Sequence, residues 1–460
     1  MSELKDHQAR DWLAGKGWIW STAFKPRIVK TKWLFDSTKC NVRQNQAIHI
    51  SDGLINSVEE NDSDSATTNG VLDLTDYYVL PGLIDAHAHL SSIYDPFEPN
   101  AYLSIAAANS AILTTHVIRN SQRCLRMGVT CIRDMPGFTN FINQEAIAVR
   151  EARKRGMLTV PRIVAYGWVE PTAGHMDLAL PAQFRKDPTI YADGPSKVRE
   201  MVRRQVREGV DGFKTAISGG MGGRMEEIWW EKYTDEELLA LTETAHGVGK
   251  RVAVHAHTDH AVRQGLRCNV DTIEHGIYME PETAEIMAEK EVVLVPTMAV
   301  SSGSALERAM AAGAVSPHQI EKRKALISSR QRPKMVKMAF DRGVILATGT
   351  DAYFTLRGEY WGLNNEEIQL LIDAGIPAEE AIIAGTLGSS MALGLENELG
   401  SIEKGKRADL VALTKSPLEN PECLTDPECV ALVILDGEVV AGSIAGLDAI
   451  RAHLVMNQRG

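Results

Sequence analysis

Paired cysteines, long apolar runs and concentrated positive charge are all missing from this chain. Its six cysteines, Cys40, Cys124, Cys131, Cys268, Cys423 and Cys429, form no CxxC pair in 460 residues, which excludes a zinc knuckle or a disulfide framework and reads as buried or incidental thiols. No apolar run approaches the ~20 residues of a membrane helix. The opening MSELKDHQARDW is charged where a secretory signal would be apolar, so a cytoplasmic protein is expected. A formal net charge of −11 without an extended basic run argues against nucleic acid or anionic membrane as a partner and favours small molecules. Neither a GxGxxG nor a P-loop is present, which lowers the odds of a doubly wound nucleotide-binding sheet.

What is present is the composition of a globular enzyme, with 44% hydrophobic and 24% charged residues, long enough for one large domain plus a smaller one. From about Val29 to Leu80 short strands alternate with turns, interrupted by the polar insert NDSDSATTNG; Asp52-Gly53 is a hairpin signal. The same style returns after Leu399, where Asp436-Gly437 repeats the signal. Between these ends, short β-like segments (129–132, 162–165, 212–215, 251–256, 272–273, 292–296, 344–348) alternate with amphipathic helical ones (198–208, 235–247, 284–290, 329–341, 366–374). The expected architecture is α/β: a (β/α)8 TIM-type barrel over 81–398, with a small β-sandwich domain built from 1–80 and 399–460.

The chemistry begins at Pro81-Gly-Leu-Ile-Asp-Ala-His-Ala-His-Leu90. Strand alternation points His87 and His89 to the same side, and neutral imidazoles converging there are good ligands for a divalent metal. Catalytic groups of a (β/α)8 barrel gather at strand C-termini. Ionisable residues recur at those positions: Lys214 closing GVDGFK, His255 in RVAVHAH, His275 in DTIEHG and Asp351 after VILATGT. Each also has a plainer use, as a strand cap, a snorkelling lysine or a helix N-cap. Their joint placement favours a site.

These residues, from Asp52-Gly53 through PGLIDAHAHL to LGSIEKGKRADLVAL, closely resemble the amidohydrolase superfamily, binuclear type with a carboxylated lysine. The resemblance makes His87 and His89 ligands of a first metal, His255 and His275 of a second, and Lys214, as a CO2-derived carbamate, the bridge. Asp351 becomes a first-metal ligand and the catalytic base. It implies two divalent ions, zinc foremost, with cobalt, manganese or nickel also accepted, and a homo-oligomer. A carbamate has two anionic oxygens to span metals ~3.5–4 Å apart, and a water between them is nucleophilic near neutral pH. Asp351 would take its proton and deliver it to the leaving nitrogen.

The spacing of Lys214, His255 and His275, with Ser218-Gly219-Gly220 after the lysine, is similar to the subgroup of Xaa-Pro dipeptidases, ochratoxinase, and molinate and phenylurea hydrolases. The implied function is hydrolysis of an acyl C–N bond in an N-acyl amino acid or Xaa-Pro-type dipeptide. Neutral ureas, carbamates or thiocarbamates are the alternative. A mononuclear deaminase is disfavoured by Lys214, and a catalytically inactive structural paralogue by the complete ligand set. His175, in EPTAGHMD, resembles the GGH-like loop of subgroup members and is expected to contact substrate, with an exposed loop histidine as the plainer reading. His257 is assigned to the substrate pocket or to a place behind the ligands. Arg224, Arg357 and His257 are candidate anchors for a substrate carboxylate. Trp229, Trp230, Met176, Tyr353, Phe354 and Trp361 are candidate apolar walls, although ordinary packing is the plainer role of the two tryptophans at 229 and 230. The glycine-rich segment after Lys214 reads as a lid.

Overall fold

Two Asp-Gly pairs turn the chain as their sequence demands. The computed structural model describes residues 24–61, 70–94, 108–136, 142–179, 191–221, 226–311, 317–355 and 363–442. The N-terminal strands are β1 (Ile28–Asp36), β2 (Asn41–Ser51), β3 (Leu54–Glu60) and β4 (Val71–Pro81). β2 and β3 are antiparallel and meet at Ser51↔Leu54, with Asp52 and Gly53 at φ of +51° and +76°, the left-handed pair that a tight hairpin requires. The polar insert after β3 lies largely outside the described residues.

A run of parallel strands follows: β5 (Leu83–Tyr94), β6 (Val129–Asp134), β7 (Arg162–Trp168), β8 (Gly212–Ala216), β9 (Arg251–Thr258), β10 (Thr272–Tyr278), β11 (Val293–Val295) and β12 (Ala352–Thr355). β13 (Leu410–Leu413), β14 (Val430–Leu435) and β15 (Glu438–Gly442) close the described chain. Asp436 and Gly437 make the β14–β15 turn at φ of +48° and +74°. Both ends of the chain meet in one sheet of seven strands, ordered β15-β14-β13-β4-β1-β2-β3. The β13–β4 pair, Leu410↔Pro81 to Leu413↔Tyr78, is the seam between the two ends.

The parallel strands form a second sheet, ordered β11-β10-β9-β8-β7-β6-β5-β12, curled into at least half a barrel with helices between successive strands. Segment 344–348, expected as a strand, makes only one bridge, Leu294↔Leu346. It nevertheless makes hydrogen bonds to both β11 and β5: Ala347 donates to Leu294 and Ala86 donates to Thr348. The expected helix over 329–341 begins instead at Gln331, because Arg330 takes φ +52° and separates Gln331–Asp341 from the preceding helix Pro317–Ser329. Helix Asp235–His246 starts on a capping box between Thr234 and Glu237.

The main core lies between the parallel sheet and its helices, where Leu90, Val129, Phe213, Val254 and Ile273 are all at or below 1% exposure. Arg162 joins the two sheets, reaching Asp409 at 2.8 Å and Asp436 at 2.7 Å. The hairpin carrying Asp436 is thereby held against the sheet that presents the site. All six cysteines are free, and five of them are buried. Among the described residues no helix is long and apolar enough to cross a membrane.

Candidate metal centre and substrate cavity

Strand ends deliver every candidate ligand to one place. β5 brings His87 and His89, β8 Lys214, β9 His255 and His257, β10 His275, and the turn before β12 brings Asp351. All line one cavity of about 850 Å³, counted with its open mouth. His87 and His89 face the same side, as alternation demands, with ring centroids 5.4 Å apart. His87 Nε2 and His89 Nε2 lie 3.7 and 3.0 Å from Asp351 Oδ1. A ligand atom from each of these three residues falls within 4.8 Å of the others. The His275 centroid is 5.6 Å from that of His87, 4.5 Å from His255 and 4.9 Å from His257.

The backbone pays local strain for this convergence, since His275 and Asp351 adopt φ of +75° and +52°, a region side-chain-bearing residues rarely occupy. Asp85 ties the segment carrying Asp351 to β5, accepting from the amides of His87 and Thr350 at 3.0 and 3.2 Å and from the Thr350 hydroxyl at 2.7 Å. Gly349 makes the close approach possible; a Cβ there would stand 2.7 Å from His87 Cβ and 2.4 Å from Val295 Cγ1.

The hydrogen-bond network assigns the imidazole lone pairs. His87 Nδ1 donates to Glu274 Oε2 at 2.5 Å and His255 Nε2 to the Gly219 carbonyl at 3.2 Å, while His275 Nδ1 and the Thr297 hydroxyl share a hydrogen bond of 2.6 Å. Lone pairs therefore remain on His87 Nε2 and His255 Nδ1, the arrangement metal-binding histidines use. Burial, reinforced by the Lys214 charge, lowers His87 to about 4. Burial and neighbouring cationic groups hold His255, His257 and His275 well below the usual imidazole value. The rings are neutral and able to ligate. Asp351 is held below the usual carboxylate range, because the His89 hydrogen bond and the charges of His87, His89 and Lys214 outweigh burial.

Lys214 is 2% exposed and its Nζ is buried without a hydrogen-bond partner. Burial lowers the amine to about 8, despite the opposing charges of Glu274 and Asp351. Beneath the site Glu274 receives Arg133 Nη2 at 2.7 Å and the Thr272 hydroxyl at 2.5 Å, in a pair with no exposure on either side chain. Burial pushes Glu274 up, but Arg133, His87 and Lys214 outweigh it and hold the carboxyl at about 2.

Glu274→Gln would leave Arg133 as an uncompensated buried charge. It is expected to cost about 3–5 kcal/mol in denaturant unfolding at pH 7 and to loosen metal binding about 10–100-fold through His87. Because the folded carboxyl titrates low, its contribution is complete above the unfolded value of ~4.3 and fades as pH falls toward about 2. Wild type and variant should converge across that window. A constant gap would remove Glu274 from this role.

His175 begins the short helix His175–Ala179, where buried Glu170 accepts from the amides of Met176 and Asp177 at 3.1 and 2.9 Å. Burial raises Glu170 to about 7. His175 Nδ1 donates to Glu226 Oε1 at 2.6 Å, and its ring stacks on His255 with centroids 4.8 Å apart. Burial opposes charge on both partners, but their attraction raises His175 and lowers Glu226, favouring the charged forms of a pair at the cavity wall.

Trp168, Met176, Met221, Val300 and Leu326 supply apolar lining. Trp229 and Trp230 are neither cavity wall nor core packing; they are 65% and 44% exposed. Arg224, Arg357 and Trp361 lie outside the described residues, as do residues 222–225 of the segment read as a lid; Tyr353 and Phe354 lie on β12, their side chains undescribed. Five residues at the site escaped sequence reasoning: Arg133, Glu226, Glu274, Arg323 and Arg332. Glu274, a charge inside the β-like run DTIEHG beside a candidate ligand, carried a readable signal. Arg323 and Arg332 sit in ordinary amphipathic helices and carried none, and Arg133, on β6, gains its meaning only from the partner it meets across the sheet.

A curled parallel sheet whose strand ends gather five buried imidazoles, a lysine and a carboxylate, three of these groups close enough together to hold a metal ion, has the layout of an α/β-class hydrolase site. Residues 78–440 match the amidohydrolase family, and the chain belongs to it. It is 28% identical to ochratoxinase of Aspergillus niger over 389 residues, covering 79% of this chain and 76% of that protein. A crystal structure of a Xaa-Pro dipeptidase with methionine bound in its active site superposes with a TM-score of 0.79 at 28% identity, covering 90% of this chain and 99% of that one. Molinate hydrolase shares the fold, with a TM-score of 0.70 at 18% identity over 91% of this chain and 95% of that one. The protein is a hydrolase acting on carbon–nitrogen bonds.

Proposed function

We propose that this cavity holds two divalent metal ions and hydrolyses the amide bond of an N-acyl amino acid or Xaa-Pro-type dipeptide. The observation that carries the reading is the orphaned, buried Lys214 Nζ amid neutral imidazoles and the Asp351 carboxylate. A deprotonated amine attacks CO2, forming an N–C bond and releasing one proton, and the resulting carbamate offers anionic oxygens where an ammonium would repel cations. His87, His89 and Asp351 would hold the first ion, His255 and His275 the second, with carboxylated Lys214 between them. The donor set fits zinc first, and cobalt, manganese or nickel as well.

Two ions held there supply a water of lowered pKa and a Lewis acid for the scissile carbonyl. Asp351 accepts the proton of the attacking water and returns it to the leaving nitrogen. His175, braced by Glu226, hydrogen-bonds bound substrate, and His257 lines the pocket beside it. The curled sheet is read as a closed (β/α)8 barrel over 81–398 with 344–348 as its eighth strand. The remaining ends, 1–80 and 399–460, are read as a small β-sandwich domain. The same reading makes the protein a cytoplasmic homo-oligomer with small-molecule substrates.

The name of the Xaa-Pro dipeptidase relative, at 28% identity, supports the amide reading. The apolar lining from Trp168, Met176, Met221 and Leu326 favours a second reading, neutral ureas, carbamates or thiocarbamates. A panel on zinc- or cobalt-reconstituted protein separates them: N-acyl amino acids and Xaa-Pro dipeptides against aryl ureas and thiocarbamates. Faster turnover of the first group is expected, and of the second would replace the reading. Absence of turnover and of bound metal, after growth in metal-supplemented medium, would leave an inactive paralogue.

A further inference from the structure

Among the described residues a buried cation at the cavity has no ion-paired anion. Arg332, on helix Gln331–Asp341, is 6% exposed and lines the same space as the candidate ligands. Its Nη1 donates to the carbonyls of Pro296 and Thr297 and to the Thr297 hydroxyl, while Nε is buried without a partner. Among the described residues no carboxylate forms an ion pair with it. Asp351 and Glu367 act on it only from a distance. Asp351 is engaged by His89, and Glu367 by the amides of Met298 and Ala299 at 2.8 and 2.7 Å. Burial lowers Arg332 to about 10, which still leaves it charged at neutral pH.

Burying a guanidinium without a counter-charge is costly, and a chain that does so at a ligand cavity has prepared a place for an anion. A second arginine stands close by: Arg323, on helix Pro317–Ser329, lines the same cavity and makes no hydrogen bond or ion pair among the described residues. The planar fork of a guanidinium matches a carboxylate. Its position selects which carboxylate, because the Arg332 charge is felt by both Asp351 and His257 and so stands near the reacting end. In an N-acyl amino acid the α-carboxylate is two bonds from the scissile nitrogen, so its anchor must be near that end too.

We infer that Arg332, assisted by Arg323, binds the free α-carboxylate of the substrate and makes the site selective for C-terminal amino acids. This rests on the reading of the cavity as an amide-hydrolase site and assigns its specificity.

The test compares each acid with its carboxamide: N-acetyl-L-phenylalanine with N-acetyl-L-phenylalaninamide, and Gly-L-Pro with its amide. Wild type is expected to favour the acids by about 10–100-fold in kcat/KM. Arg332→Met should collapse that ratio to within about threefold, chiefly through KM; Arg332→Lys should retain part of it and Arg323→Met reduce it less. An equal loss on acid and amide would assign Arg332 a purely structural role, and a wild type without preference would overturn the anchor outright. Should Arg332→Met fail to fold, the ratios of Arg332→Lys and Arg323→Met decide by the same criterion. If wild type cleaves no member of the panel, the amide-hydrolase reading falls. The anchor is then judged by whether L-phenylalanine, but not its amide, raises the Tm of wild type more than that of Arg323→Met and Arg332→Lys. Equal shifts in wild type and variants would overturn it.

Discussion

Lys214→Ala is expected to reduce hydrolysis to background and to cut metal content, while short carboxylic acids such as acetate or propionate restore part of both. The side chain it removes is 2% exposed, with an amine that has no hydrogen-bond partner among the described residues. Deleting it opens a polar-walled void among the cavity histidines, into which a small carboxylate can diffuse and present two oxygens where the proposed carbamate would stand. Metal affinity should fall by at least about 10–100-fold, measured by chelator competition. A second variant, Lys214→Met, keeps the packing volume and removes the amine. It should fold as wild type does, bind metal as poorly as the alanine variant and resist chemical rescue, because the void is filled. Full activity in either variant would end the carbamate assignment. Rescue of Lys214→Met as efficient as that of Lys214→Ala would place the bridging anion elsewhere.

The candidate ligands were legible because each interrupts an apolar β-like run at its C-terminal end, where a packed core would carry valine or leucine. Period-two alternation correctly put His87 and His89 on one side, and both hairpins followed from Asp-Gly pairs that tolerate the left-handed backbone. The boundary errors have local causes. The break at Arg330 is one residue in a left-handed conformation, invisible to helical periodicity. Segment 344–348 is apolar enough to look like a strand, yet its pairing is limited to a few hydrogen bonds with β11 and β5.

Supporting residues were harder to read, because their meaning depends on what faces them across the curled sheet. Arg133 and Glu274 are separated by 141 residues, and only the juxtaposition of β6 and β10 turns two isolated charges into the buried pair that orients His87. Glu226 likewise acquires a role only when the segment after β8 returns it to His175. Substrate preference was the least legible. The arginines singled out by sequence, Arg224 and Arg357, were chosen by loop position. The arginines that line the cavity, Arg323 and Arg332, lie on helices whose inward faces a linear pattern does not distinguish.

Asp351→Asn should lower kcat by about 10²–10⁴-fold, the range for loss of a positioned proton carrier, while leaving the fold intact. The substitution is unusually clean at this position. Asp351 sits at φ +52°, a conformation asparagine tolerates as well as aspartate. Its amide, which donates to the His87 carbonyl at 2.7 Å, is retained. What is lost is the anion facing His89 Nε2 at 3.0 Å and His87 Nε2 at 3.7 Å. A carboxamide oxygen remains a weak ligand, so metal content should fall less than in Lys214→Ala. Most of the defect should appear in kcat, with KM within a few-fold of wild type. The pH profile supplies the control: wild type, whose Asp351 is held below the ordinary carboxylate range, should keep its base ionised through mildly acidic pH. Turnover unchanged in Asp351→Asn would remove the residue from proton transfer. A loss matched by equal loss of metal would make it a ligand alone.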